Sequence, residues 1–180
     1  MARRELPPHD PFVLIGESFS GPAAILLAAT APPGLRGLVL CATFARTPVP
    51  LFPFLRRLAS RLPMRAMPMP VVMRLMMGRW SSPGWSARLQ AAMERMTPDV
   101  LRRRIAAVLD VDVTQALAAV QCPILFIAAD ADRVLWTDGW RAIHAARPEA
   151  TRVRIAGPHM LLQAVPQDVA TAIRQWTPMR

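Results

Sequence analysis

Residues 12–29 read FVLIGESFSGPAAILLAA. The first five are apolar and rich in strand formers, and Asp10-Pro11 and Gly16 bound them. They read as a buried β-strand. Residues 18–30 are rich in Ala and Leu and read as a helix, which the Ala31-Pro32-Pro33-Gly34 run closes. Residues 35–42, LRGLVLCA, are a second apolar run with strand character. Strand, helix and strand at this spacing define a right-handed parallel crossover. Ser18 sits at the junction of the first strand and the helix, with Gly16 two places before it and Ser20 two places after. A tight turn there lifts a serine hydroxyl clear of the sheet and aims it into the crevice at the strand ends. The backbone N–H of Phe19, at the helix start, then faces a developing oxyanion. The plainer reading of the same residues is a Gly/Ser-rich turn with Ser18 as helix N-cap.

Towards the C-terminus the alternation continues. Residues 123–129, PILFIAA, read as a third buried strand that ends at Asp130-Ala131-Asp132, and residues 137–146 read as a helix. Residues 151–156, TRVRIA, alternate and form a shorter, more exposed strand. Gly157-Pro158-His159 is a turn, and residues 166–176 are a last helix. Strands alternating with helices argue for an α/β class with a parallel sheet.

Residues 48–96 differ in character. They hold seven prolines and eight of the eleven methionines, with eight Arg against one acid, Glu94, a balance of +7. No strand pattern is present. Short helices interrupted by Pro are expected near residues 52–62, 71–77 and 85–96, forming a helical cap inserted over one end of the sheet. Thr97-Pro98 then caps and starts a helix running to about Leu109. The organisation expected is a core of residues 1–47 and 97–180 with a cap of residues 48–96. Trp80, Trp85, Met73, Met76 and Met77 are candidates for an acyl pocket under that cap, with the cap's own core the favoured reading for any one of them.

Composition narrows the function. With 180 residues, 53% hydrophobic and 19% charged, the chain is a single folded domain, too apolar for disorder. No apolar stretch is long and clean enough for stable membrane insertion, and no signal peptide is evident, so the expected location is cytoplasmic. Net charge is +10, and all 22 basic residues are Arg. The Arg residues are spread along the chain and Lys is absent, which reads as compositional habit. No nucleic-acid motif accompanies them, so no nucleic-acid partner is expected. Cys41 and Cys122 lie far apart in apolar segments and read as buried free thiols. No metal-ligand spacing or phosphate-cradling glycine loop is present, and no cofactor is expected.

The stretch FVLIGESFSGPAAILLAA resembles the nucleophile elbow of the α/β-hydrolase family. Ser20 stands where a second Gly is usual, and Gly21 follows one place late. Two later segments extend the resemblance in the order Ser, acid, His. PILFIAADADRVL is similar to the strand and loop that deliver the acid, and its register picks Asp132, with Asp130 as runner-up. GPHMLLQAVPQDVATAI is similar to the late His loop and final helix, and picks His159 over His9 and His144. The resemblance implies a serine hydrolase acting on a small-molecule acyl substrate through Ser18, His159 and Asp132, with Phe19 N–H as one oxyanion donor.

The resemblance also implies strands and helices before the elbow, and a loop there supplying the second oxyanion donor. Read this way, the chain is an N-terminally truncated α/β-hydrolase. Met1–Leu6 (MARREL) resembles the end of a preceding helix, and a longer reading frame is expected upstream of Met1. An open edge on the elbow strand would invite self-association. The alternative is an impaired fragment that serves as an interaction module. Asp110 and Asp112 read as solvated acids near a helix end.

Overall fold

The computed structural model describes residues 7, 10–48, 68–135 and 139–176. Four parallel strands form one sheet in the order β1 (Phe12–Glu17), β2 (Leu35–Cys41), β3 (Ile124–Ala129) and β4 (Thr151–Ile155). Helix α1 (Ser20–Ala28) joins β1 to β2. Between β2 and β3 come α2 (Met69–Met76), a 3-10 turn (Gly78–Trp80), α3 (Pro83–Glu94), α4 (Pro98–Asp110) and α5 (Thr114–Ala118). Helix α6 (Gly139–Ala146) joins β3 to β4, and α7 (Leu161–Ala164) and α8 (Pro166–Trp176) follow.

Alternation along the strands builds two cores. On one face Leu38, Leu40 and Phe126 pack with Ile25 of α1, Leu117 of α5 and Ile143 of α6. On the other, Val39, Cys41, Leu125 and Ile127 pack with Leu161 of α7 and Val169 of α8. Both faces of β2 and β3 are therefore covered, and their continuous apolar runs follow from that.

The elbow strand departs from expectation. FVLIG reads as fully buried, yet Phe12, Val13 and Leu14 are only partly buried and Ile15 is 43% exposed. Its described pairing is with β2 alone, so one edge has no strand partner among the described residues. An apolar run reports strand character; it does not report how many neighbours the strand has.

The helices expected near residues 71–77 and 85–96 are found as α2 and α3, whereas that near residues 52–62 lies outside the described residues. Helix α4 starts as expected, with Thr97 Oγ1 accepting from Val100 N–H at 3.3 Å. Such a cap contributes about 1 kcal/mol. Asp112 is tied locally, accepting from Thr114 N–H and Oγ1 and pairing with Arg46 at 3.1 Å. Cys41 is fully buried, but Cys122, also expected to be buried, is partly exposed because it precedes β3 at the sheet's rim. No helix among the described residues is long and apolar enough to cross a membrane.

Candidate active site

Ser18 stands between β1 and α1 with φ +50°, in the left-handed region that non-glycine residues seldom adopt. Local contacts hold it there. Its N–H donates to Cys41 O at 3.0 Å, and its carbonyl accepts from Gly21 N–H at 3.1 Å and from the buried Thr43 hydroxyl at 2.5 Å. Gly16 and Gly21 meet beneath the turn. A Cβ on Gly16 would lie 2.8 Å from both Ala24 Cβ and Gly21 Cα, and one on Gly21 would overlap the Thr43 side chain. Ser20, in the place of the usual second Gly, begins the helix. Its hydroxyl donates to Glu17 O at 2.8 Å and accepts Glu17 N–H at 2.9 Å. Ser18 is thus not the helix cap: Phe19 holds that position without a side-chain bond. Among the described residues Phe19 N–H has no hydrogen-bond partner.

The loop after β3 carries Asp132, and the turn after β4 carries His159, which is 2% exposed. Asp130 and Ala131 donate their N–H groups to Ile155 O and Gly157 O, which ties the two loops together. Ser18 Oγ lies 2.6 Å from His159 Nε2, and His159 Nδ1 lies 2.8 Å from Asp132 Oδ2. Asp132 Oδ1 accepts from Val134 N–H at 2.8 Å and Leu135 N–H at 3.1 Å. Burial alone would raise the Asp132 pKa. The hydrogen bond and charge of His159, together with the Leu135 and Val134 N–H groups, outweigh it and hold the carboxyl below the usual range. The three residues picked from the sequence therefore meet at the C-terminal rim of the sheet.

The competing candidates lie elsewhere. Asp130 is exposed and pairs with Arg154 at 2.7 Å. His144 stacks on Trp140 with centroids 5.0 Å apart, and His9 is outside the described residues. Met73 and Met77 are buried, Trp80 lines a cavity of about 290 Å³ with Arg79 and Arg133, and Trp85 lies under Arg88. Among the described residues no group of three His, Cys, Asp or Glu side chains is placed to hold a metal ion.

One residue of the site went unnoticed in the sequence. Glu17, next to the serine, reaches the segment after His159. Its carboxylate accepts Leu162 N–H and Gln163 Nε2–H, each at 2.9 Å. The elbow and the His loop are therefore bonded to each other independently of the Ser18–His159 contact. Nothing local in Gly16-Glu17-Ser18 announces a partner 145 residues away. A second cross-link joins Met160 N–H to Met76 O at 3.2 Å, placing α2 against the same loop.

A parallel sheet covered on both faces, with a serine elbow at its C-terminal rim, is the architecture of the α/β-hydrolases. Within that class, residues 2–161 match the family model of the serine aminopeptidases, S33, and the chain belongs to that family. No curated protein matches the sequence. In structure the chain is similar to bromoperoxidase from Bacillus anthracis, with TM-score 0.78 and 16% identity over 93% of this chain and 67% of that one. It is also similar to a hydrolase from Pseudomonas aeruginosa PA01 (TM-score 0.70, 25% identity, 92% and 64% covered). A third is a thermophilic esterase from Thermogutta terrifontis, solved with malate bound (TM-score 0.72, 22% identity, 92% and 64% covered). The chain thus spans between 64% and 67% of the length of these structures.

Proposed function

We propose that this chain carries a serine hydrolase site that cleaves an ester or related acyl substrate through an acyl-enzyme. The observation that carries the reading is the unbroken line of hydrogen bonds from Ser18 Oγ through His159 to Asp132. A serine hydroxyl is a weak nucleophile near neutral pH and needs a base beside it. His159 Nε2 accepts the proton as Ser18 Oγ bonds to the substrate's carbonyl carbon. Asp132 fixes the tautomer with its proton on Nδ1 and stabilises the imidazolium. The carbonyl oxygen becomes an oxyanion, which Phe19 N–H stabilises. As the tetrahedral intermediate collapses, the bond to the leaving oxygen breaks and His159 returns the proton to the departing alcohol. Water, deprotonated by His159, then attacks the acyl-serine and releases the acid and Ser18.

One oxyanion donor is identified among the described residues, and a missing donor costs about 100- to 1000-fold in turnover. That single donor is what favours the second reading, an impaired hydrolase that survives as an interaction module. Short-chain p-nitrophenyl esters separate the two. The enzyme reading expects hydrolysis above background that Ser18→Ala abolishes. Equal rates for the two proteins would overturn it.

A further inference from the structure

We infer that the substrate carries an anionic group, a carboxylate in the simplest case, and that Arg104 receives it. This deepens the hydrolase reading and rests on it. Phe19, which follows the serine and offers the oxyanion N–H, is 43% exposed. Over its ring stands the guanidinium of Arg104, 5.4 Å from the centroid, delivered by α4. Among the described residues Arg104 makes one hydrogen bond, from Nη1 to Met96 Sδ at 3.4 Å. Its neighbour Arg103 is neutralised by Asp99 at 2.9 Å, but Arg104 has no carboxylate partner among the described residues. Val100, one turn earlier on α4, is likewise exposed. The rim beside Ser18 thus combines an apolar ring and an uncompensated cation.

A guanidinium over an aromatic face does not spend its N–H donors on the ring, so those of Arg104 other than the one given to Met96 remain for a carboxylate. An arginine in this position donates two parallel hydrogen bonds to a carboxylate without giving up the Phe19 contact. The described stretch of residues 68–96, whose α2 is bonded to the His loop, adds long-range attraction, because it carries four Arg (Arg74, Arg79, Arg88 and Arg95) against one acid, Glu94. An apolar acyl or alcohol chain with a terminal negative charge matches both parts of this rim.

The test compares monomethyl glutarate (charge on the acyl side), acetoxyacetate (charge on the alcohol side) and methyl butyrate (neutral) as substrates. At low salt, kcat/KM for one of the charged esters is expected to exceed that for the neutral ester by at least tenfold. Arg104→Gln should reduce that preference at least tenfold, mainly through KM. Arg104→Lys should restore part of it, and Arg102→Gln on the same helix should leave it unchanged. Whichever charged ester is preferred reports the side on which the charge lies. A neutral ester preferred by the unaltered chain, or a preference insensitive to Arg104→Gln, would overturn the inference. Calorimetric binding of glutarate to Ser18→Ala gives a readout that needs no catalysis. Binding that weakens at least tenfold in the Ser18→Ala/Arg104→Gln double variant supports the inference, and absent or unchanged binding overturns it. Loss of the serine mechanism with glutarate binding intact would count against the hydrolase reading alone.

Discussion

The Thr43 hydroxyl donates a 2.5 Å hydrogen bond to the carbonyl of Ser18, 25 residues earlier in the chain. Thr43 is fully buried, and its side chain fills the space against Gly21. The serine's left-handed backbone is therefore held from the end of β2, from α1 and from Thr43 just after β2. Thr43→Val keeps the volume but removes the donor. We expect a loss of about 1–3 kcal/mol in unfolding free energy, the range for disturbing a buried hydrogen bond. Urea denaturation measures it, and kcat should fall with it because the elbow is no longer fixed.

Gly21→Ala is the steric counterpart. The new Cβ would overlap Thr43, a fully buried residue with no room to retreat. Overpacking of this kind costs about 1–3 kcal/mol or more. The expected outcome is a lower Tm by calorimetry, and pairing the change with Thr43→Ala should recover part of the steric loss by removing the Oγ1 that the new Cβ would overlap.

How much of this was legible in the sequence depends on the range of each signal. The elbow is local: strand, turn and helix lie within 18 residues, and Ser18 was found from them. Asp132 and His159 were found through segments that resemble a family, since spacing alone does not bring residues 27 apart together. The burial of β1 is not legible, because FVLIG carries strand character without stating that Ile15 faces solvent. Ser20 was legible as a departure from the usual pattern, but its function was not: its hydroxyl closes a ring of bonds on Glu17, while Gly21 takes the close approach. Glu17 was missed because both its partners lie in α7, far along the chain. Arg104 is one of three consecutive arginines, and nothing local in the sequence sets it apart from Arg102 and Arg103.

Glu17 offers a graded test of how the His loop is held. Glu17→Ala removes the acceptor for Leu162 N–H and for the Gln163 amide. A tenfold or greater fall in kcat, with KM little changed, is expected from steady-state kinetics. Glu17→Gln should restore most of the activity. Its amide oxygen still accepts from Leu162 N–H, and the buried Oε1 of Gln163, without a hydrogen-bond partner among the described residues, can turn to take the new amide hydrogen. Equal losses in both variants would show that the carboxylate's charge, and not its hydrogen bonding, matters.

Asp132 predicts a pH dependence of stability. Its folded pKa lies below its unfolded value, so ionised Asp132 contributes stability above about pH 4, the unfolded carboxylate value. That contribution is lost as pH falls through the lowered folded pKa. The unaltered chain should therefore exceed Asp132→Asn in urea midpoint at pH 7, with the gap closing in acid below pH 4. In activity, Asp132→Asn should lower kcat by up to about 10⁴-fold through the wrong His159 tautomer.

The thiols give a simple check on the sheet's packing. Burial, reinforced by the charges of Glu17 and Asp132, pushes the Cys41 thiol far above its ordinary value. A disulfide reagent at pH 8 should leave Cys41 untouched in the folded chain and modify it once the chain is unfolded. The partly exposed Cys122 should react first.

The most direct measurement of the central claim is covalent labelling with a fluorophosphonate, read by intact mass and peptide mapping. The account predicts one adduct per chain, on Ser18, strongly slowed in His159→Ala and absent in Ser18→Ala. An unlabelled chain, or an adduct that persists in Ser18→Ala, would contradict it.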